Sequence, residues 1–347
     1  MMKKAILIIT CMFDPHADDM VLQLQSMGHN PIRLNTDDIP LNTSMSFGFS
    51  SAQTQWESHI ALYTDQKGTL DINLADIRSI WWRRPGDYFG LPPELSEQER
   101  EFARGEIDHV LRGLWSLQEC YWVSYPEHIR QASWKMEQLQ RAARAGFVVP
   151  RTLITSDPDA ARAFYHTCNG QMIFKVLADP FLGAPTVAEK HPDQALPEAR
   201  QTLTTLITEA ELEMLDSIRL VPCQFQEYIP KQTELRVTII GDELFVAAID
   251  SQSNENTSVD WRNWHNGGLE ISYKQTTLPA DLAAKCLQFV RSYQLNFSAL
   301  DFILTPDGRY VFIENNPNGQ FMWIEKMVPE MRMTEALAAC LIRGANS

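Results

Sequence analysis

The sequence predicts an α/β chain that becomes α+β in its C-terminal part, and three observations predict it. Short β-branched runs alternate with amphipathic stretches up to about Tyr125. After Glu234 two strand pairs are each joined by a turn carrying Gly and Asp. No internal repeat or low-complexity linker interrupts the 347 residues, and 44% hydrophobic content supplies enough apolar material for two or three packed units.

Taken in order, Ala5–Ile9 reads as a first buried strand. The start, MMKKAILIITCMF, imitates a secretion signal, but its apolar run is short. Asp14, Asp18 and Asp19 follow it with no small-residue cleavage site. DDMVLQLQSMG is a helix stopped by Gly28, NPIRLN a second strand, and IRSIWWRRP a strand halted by Pro85. In EFARGEIDHVLRGLWSLQE, Ile107, Val110, Leu111 and Leu114 recur at helical spacing. Strands alternating with helices give a small parallel sheet. A boundary near Tyr125-Pro126 then closes an N-terminal α/β domain, residues 1–125.

A central unit, 126–222, opens with SWKMEQLQRAARAG, a helix for which Ser133 is the expected N-cap and Gly146 the stop. FVVPRTLIT leads to a short helix begun by Ser156-Asp157-Pro158. QMIFKVL is a strand, and the polar stretch Gln194 to Leu215 reads as helix. The last unit, 223–347, starts at the strand CQFQEYI. ELRVTII and ELFVAAID then pair around Gly241-Asp242. LPADLAAKCLQFVRSYQ is a helix with Leu282, Cys286, Phe289, Val290 and Tyr293 on one face. ALDFIL and RYVFIE form the second hairpin.

Charge and cysteine usage narrow the functional classes. A net charge of −14 excludes an extended nucleic-acid surface. It suits a basic peptide segment as partner, although solubility alone accounts for it. The six cysteines are scattered with no C-x-x-C pair, which argues against a zinc site or disulfide framework and for a reducing compartment. The eight histidines show no ligand spacing, and His16 beside Asp18 and Asp19 reads as a solvated helix start. No apolar stretch is long enough to span a membrane, so a soluble, cytoplasmic protein with no membrane contact is expected.

The last hairpin carries the strongest chemical signal. The strand Tyr310–Ile313 ends in Glu314-Asn315-Asn316-Pro317, which plain turn chemistry would also explain. With a two- or four-residue loop, Leu304 pairs with Arg309 and Asp301 with Phe312. Asp301 then shares a face with Glu314 and Asn316, with the two carboxylates as diagonal neighbours. A three-residue loop would reverse that parity. Two carboxylates and an amide oxygen on one face form a hard site suited to Mg²⁺, with phosphate and water completing the shell.

With these motifs assembled, the chain resembles the ATP-grasp superfamily, in which Asp and Glu-x-Asn close the sequence as Mg²⁺ ligands. Asp301, Glu314 and Asn316 match that pattern. The resemblance implies an ATP-grasp fold preceded by a pre-ATP-grasp α/β domain, with ATP and Mg²⁺ as cofactors. It casts Lys135 and Lys175 as the lysines on the nucleotide phosphates, and Gln226, Glu227, Tyr228 and Ile229 as the hinge holding adenine. Glu234 would face the ribose, and Arg236 the transferred phosphate and acyl oxygen, acting catalytically with Lys175.

More narrowly, RLNTDD (33–38), WWRRP (81–85), DSQS…VDWR (250–262) and ENNPNGQFMWIE (314–325) resemble the microviridin-type peptide maturases, the graspetide ligases. That likeness spans nearly the whole chain. It departs from many superfamily members in the loop ADPFLGAPT (178–186), which holds a single glycine where a glycine-rich flap is common.

The implied reaction activates Asp or Glu side chains of a ribosomal precursor peptide as acylphosphates. Ser or Thr hydroxyls, or Lys amines, then displace phosphate and close macrocycles. The implied partner is a precursor with a leader and an acidic core, and relatives imply a homodimer. Arg83 and Arg84 could bind acidic side chains bidentately, or simply end a solvated strand. Asp260 and Arg262 could line a substrate site, or belong to a loop around one packed Trp. Two other functions stand beside the cyclase: an ATP-grasp amino-acid ligase acting on a protein terminus or small molecule, and a non-catalytic nucleotide-binding module.

Overall fold

The computed structural model describes residues 5–52, 54–64, 68–86, 91–92, 94–178, 181–182, 200–263 and 271–346. They fall into two compact units. The first is built from the chain up to Pro126 and from Arg332 onward, the second from described residues between Glu127 and Met331.

In the first unit Ala5–Thr10 lies inside a four-stranded parallel sheet, between Ile32–Asn35 and Ile77–Trp82, with Tyr121–Val123 at the far edge. A central parallel strand is covered on both faces, which is why Ile6, Leu7, Ile8 and Ile9 form an unbroken apolar run and are all buried. Helix Pro15–Ser26 starts at Asp14, whose carboxylate accepts from His16 N–H at 3.1 Å. It stops before Gly28, held at φ +83°. Helix Glu97–Ser116 opens with a Ser96/Glu99 capping box. It buries Leu111 and Leu114 as the spacing predicts, but Val110, expected on the same face, is exposed.

Two features of this unit escaped the sequence. Thr43–Gly48, Glu57–Thr64 and Gly68–Asn73 form a three-stranded antiparallel sheet. Helix Met333–Asn346, at the far end of the chain, packs on Ile77–Trp82 and Pro15–Ser26. Its close approach to Tyr121 requires a glycine: a Cβ on Gly344 would stand 2.1 Å from the Tyr121 ring.

At the C-terminal end of the parallel sheet, Arg83 is 1% exposed. Its N–H donates to Ile9 O at 2.9 Å, and its Nε lies 3.4 Å from Asp14 Oδ2, which also accepts from Thr10 Oγ1 at 2.6 Å. Burial pushes its guanidinium down to about 10, with Arg84 adding to that and Asp14 opposing it. A solvated strand end therefore describes Arg84, which is exposed, and not Arg83.

Beside a two-stranded sheet, Phe181–Leu182 with Arg200–Gln201, the second unit carries two larger sheets among the described residues. One is antiparallel in the order Thr205–Leu206, Met172–Lys175, Cys223–Glu227, Thr152–Thr155. The other runs Tyr273–Thr276, Glu243–Ile249, Thr233–Ile240, Phe297–Leu304, Tyr310–Asn316, all antiparallel. Phe147, Phe289, Phe302 and Phe312 fill its core with ring centroids 5.3 to 5.6 Å apart. Helix Ala280–Ser292 presents the expected face, Leu282, Cys286, Phe289 and Val290, to that core.

Two expectations here are corrected. Ser133 does not cap a helix: it ends Pro126–Ser133, its Oγ donating to Ile129 O at 2.8 Å, and a new helix, Lys135–Arg144, begins after Trp134. The predicted helix from Gln194 to Leu215 is instead two short strands, Arg200–Gln201 and Thr205–Leu206, followed by helix Glu209–Glu213. The β-branched run TLTTLIT favours strand over helix. Its first part, 194–199, lies outside the described residues, as does the glycine-poor loop 178–186 apart from Ala178, Phe181 and Leu182. Among the described residues no helix is long and apolar enough to cross a membrane.

Four variants test this packing. Gly344→Ala is expected to destabilise the protein by about 1–3 kcal/mol through overpacking on Tyr121. Gly113→Ala, in a helix interior where a Cβ meets nothing within 4 Å, should stabilise it by about 0.5–1 kcal/mol. Arg83→Met leaves the buried Asp14 carboxylate without its guanidinium and should cost about 3–5 kcal/mol, whereas Arg84→Met should stay within about 0.5 kcal/mol. Urea midpoints of the four variants decide all of these. Equal midpoints for the two arginine variants would refute the buried role of Arg83.

Candidate functional site

One row of side chains crosses three strands of the five-stranded sheet. Arg236 stands opposite Asp301, and Asp301 opposite Glu314. The route to that row differs from the expected one. Thr305 N–H donates to Arg309 O at 2.9 Å, so the loop closes over 305–309 and Leu304 pairs with Tyr310, not Arg309. Phe302 pairs with Phe312, and simple continuation would set Asp301 against Ile313. The register shifts there instead: Ile313 is an extra residue, and Glu314 faces Asp301 directly. The two carboxylates are opposed, not diagonal.

Four groups hold them. Arg236 Nε lies 3.1 Å from Asp301 Oδ1, and Lys135 Nζ donates to Glu314 Oε2. Asn316 Nδ2 bridges both, donating to Asp301 Oδ2 at 2.9 Å and Glu314 Oε1 at 3.2 Å. Lys175, half-buried at the end of Met172–Lys175, is the fourth group and the third positive charge. Burial pushes the Asp301 carboxyl up to about 7; Arg236 opposes this, and the Glu314 and Glu234 charges add to it. Burial would raise Glu314 as well, but the Lys135 and Lys175 ammonium groups hold it well below the usual range. Burial lowers Lys175, with Glu314 opposing and Lys135 and Arg262 reinforcing. The pair therefore keeps Glu314 ionised and leaves Asp301 as the group that takes up a proton.

Lys135, Gln138, Lys175, Gln224, Ile313 and Glu314 line a pocket beside this row. The turn after the strand is fitted closely to it. Gly319 N–H donates to Asn316 O at 3.1 Å, and a Cβ on Gly319 would stand 2.9 Å from Ala299 Cβ and 3.2 Å from Asn316 Cβ.

Arg262 is tethered by Asp260, which accepts from its Nε at 2.8 Å and its Nη2 at 2.5 Å and also takes Thr204 N–H at 2.9 Å. Burial opposes the charge on Arg262, but Asp260, with Glu314 and Asp301 beyond it, raises its basicity further. Asp260 itself is held below the usual carboxylate range: burial works against ionisation, and the Arg262 bonds outweigh it. Between them Trp261 stacks on Trp323 at 4.8 Å, with Tyr273 edge-on to Trp323 at 5.4 Å.

At the expected hinge, Glu227 N–H donates to Arg151 O at 3.0 Å and Tyr228 N–H to Gln171 O at 2.8 Å. Ile229 N–H has no partner among the described residues. Gln226 is buried, donating to Thr152 Oγ1 at 3.0 Å, and Glu227 takes Arg151 N–H and Nε at 2.9 and 2.7 Å. Glu234 accepts from Lys231 Nζ at 2.9 Å; the same ammonium binds Val259 O at 2.7 Å.

The structure thus brings together Lys135, Lys175, Arg236, Asp301, Glu314 and Asn316, with Asp260 and Arg262 acting on them electrostatically. Arg83 and Arg84 belong to the first unit. Sequence reading missed Gln138, Lys231 and Thr204. Gln138 had one available signal, its place three residues after Lys135 on a helix.

Among the described residues no three or more of His, Cys, Asp and Glu group as metal ligands. The donor set is two carboxylates and one carboxamide, which fits Mg²⁺, an ion that uses one or two carboxylates and fills its shell with phosphate oxygens and water. It fits a zinc site poorly.

Residues 5–130 match the family model of the MvdD pre-ATP-grasp domain, and residues 132–338 that of the RimK-like ATP-grasp domain. No curated protein matches the chain significantly. Among solved structures, the macrocyclase MdnC bound with precursor peptide MdnA, from Microcystis aeruginosa MRC, is 29% identical. Its TM-score is 0.80, over 97% of this chain and 99% of that one. A Chryseobacterium gregarium RiPP-associated ATP-grasp ligase, in complex with ADP and a leader and core peptide, is 29% identical. Its TM-score is 0.83, over 98% and 97%. The macrocyclase MdnB from Microcystis aeruginosa MRC is 30% identical with a TM-score of 0.74, over 98% and 100%. The chain belongs to the RimK-like ATP-grasp family, with an MvdD-type pre-ATP-grasp domain at its front.

Proposed function

We propose that the protein is an ATP-dependent carboxylate ligase that closes macrocycles in a ribosomal precursor peptide. The observation that carries the reading is the row Arg236–Asp301–Glu314 with Lys135 and Lys175 against it. Such a row has one acidic pole for a metal and three cations for phosphate and acyl oxygens. Similarity to MdnC, MdnB and the C. gregarium ligase supports a peptide as the substrate.

In this reading a substrate Asp or Glu carboxylate oxygen attacks the γ-phosphorus of ATP, and ADP leaves with the bridging oxygen. A Ser or Thr hydroxyl, or a Lys amine, then attacks the acyl carbon. Phosphate departs, and the proton of the hydroxyl or amine leaves with it. Asp301, Glu314 and Asn316 would hold Mg²⁺, which when bound neutralises charge on the phosphates. Asn316 must then present Oδ1 in place of Nδ2.

The chain's own groups do the rest. Lys135 and Lys175 grip phosphate oxygens, and Arg236 meets charge on the transferred phosphate and acyl oxygen. The hinge Gln226–Ile229 offers adenine its backbone, with Ile229 N–H unpartnered among the described residues, and Glu234 lies two residues before Arg236 on the same face for the ribose. Arg262 and Asp260 line the peptide side, and Arg84 is the exposed arginine available to acidic core residues. Rate enhancement comes from positioning and fixed charge, with no covalent enzyme intermediate.

We further infer a homodimer working in the cytoplasm. The scattered spacing of the six cysteines, with no C-x-x-C pair, supports the reducing compartment.

The test is the intact mass of the short acidic peptide encoded nearest the gene, after co-expression with the protein. Loss of one water per ring is expected, and Glu314→Gln should lower that yield by about 100-fold. Hydroxide-labile products identify esters and resistant ones amides. A gain of amino-acid mass would replace the cyclase with an amino-acid ligase. An unchanged mass with bound nucleotide would leave a non-catalytic module.

A further inference from the structure

The strand Tyr310–Asn316 is the last in its sheet, so one side of its backbone lacks a strand partner. Two groups fill that side. Phe312 N–H donates to Val148 O at 2.8 Å. Asn315 exchanges two bonds with a single side chain: its N–H donates to Gln138 Oε1 at 3.0 Å, and its carbonyl accepts from Gln138 Nε2 at 2.8 Å. A carboxamide here does what the backbone of a neighbouring strand would do.

Gln138 is 1% exposed, and its Nε2 also donates to Ala132 O at 2.7 Å. The Asn315 side chain is tied in turn, accepting from Ser298 Oγ and donating to Ala132 O at 3.3 Å. These bonds leave Gln138 one geometry.

Its position on the helix gives this contact a consequence. Gln138 follows Lys135 by three residues, so both project from one helix face. Lys135 reaches Glu314 while Gln138 reaches Asn315, the next residue along the strand. Two points on one helix are thus fastened to two successive residues of one strand. The extra residue Ile313 makes this possible: Phe312 and Asn315 both turn their amides outward although three apart, which an unbulged strand with its period of two forbids.

We infer that Gln138 is a positioning residue of the phosphate site: by clamping Asn315 it sets where Lys135 Nζ stands relative to Glu314 and Asn316. The consequence for nucleotide binding rests on the ligase reading given above; the clamp itself does not.

The test compares Gln138→Met, which removes both bonds at similar volume, with Gln138→Glu, which keeps the acceptor for Asn315 N–H. Tyr293→Phe is the control, because it removes one bond to Glu137 on the same helix, where Arg141 still holds that carboxylate, and leaves the clamp intact. In nucleotide-free protein, acylation of Lys135 by N-hydroxysuccinimide acetate is followed by peptide mass, with exposed Lys274 as internal reference. Calorimetry then gives affinities for adenosine and for ADP with Mg²⁺.

Lys135 labelling should rise several-fold in Gln138→Met, less in Gln138→Glu and not in Tyr293→Phe. ADP affinity should fall about tenfold, as is common when a group supporting a metal site is removed, with adenosine affinity unchanged. Unchanged Lys135 labelling overturns the inference, as does an equal loss of adenosine and ADP affinity, which would mark general destabilisation. If Gln138→Met does not fold, Gln138→Glu decides by the same labelling. Raised labelling in a protein whose wild type binds no nucleotide would uphold the clamp and sink the ligase reading.

Discussion

Two carboxylates, Asp301 and Glu314, face each other across adjacent strands, and most of their surroundings make that arrangement tolerable. Like charges directly opposed in a sheet repel, and burial raises the cost of ionising either. The structure answers asymmetrically. Glu314 receives two ammonium groups and stays charged, while Asp301, faced most closely by Arg236, is pushed up to about 7 by burial. Asn316 joins them by donating to both. A divalent cation would replace the repulsion with shared attraction. In this way the site holds electrostatic strain that its proposed ligand relieves.

That opposition depends on backbone geometry before it depends on charge. The loop 305–309 sets a register that alone would place Ile313 against Asp301, and a bulge corrects it by one residue. The same bulge turns the Asn315 amide toward Gln138. The turn that follows is held by Gly319, whose missing Cβ lets the chain close against Ala299 and Asn316. A single irregularity in one edge strand therefore aligns a carboxylate pair with the helix that carries Lys135.

How much of this was legible in the sequence follows from which forces were local. The parallel sheet, the two hairpins and helix Ala280–Ser292 were readable because hydrophobic period and Gly turns are written in adjacent residues. The sheet formed by 43–73 was not, since its outer face is polar and its strands lack a clean apolar run. The helix expected over 194–215 failed where β-branched Thr and Ile outweighed polar composition. Ser133 looked like a cap, yet the chain breaks at Trp134 and uses Ser133 to close the preceding helix. At the site, the identity of Asp301, Glu314 and Asn316 was readable, but the register was not. Two errors, in loop length and in the bulge, cancelled in parity. Arg83 shows the opposite limit: a charged pair before a proline reads as surface, and only the tertiary fold places Asp14 beside one member.

The charged groups around the row differ in how they are held, and on the proposed reading that difference divides the labour. Arg236, Asp301, Glu314 and Asn316 sit on paired strands, and Lys135 on a helix clamped to one of them, so their spacing is fixed by backbone hydrogen bonds. Chemistry common to all carboxylate activation belongs on such a frame. Arg262 is placed otherwise. It lies in an irregular segment beside the stacked Trp261 and Trp323, and its tether, Asp260, is shared with the backbone of Thr204. A guanidinium held this way is set by the Asp260 tether and not by the sheet, yet its charge is felt by Lys175, Asp301 and Glu314. On the proposed reading, the Asp260–Arg262 segment would meet the substrate while the sheet would carry phosphoryl transfer, because variable recognition suits a loop held by side chains and common chemistry suits a rigid frame.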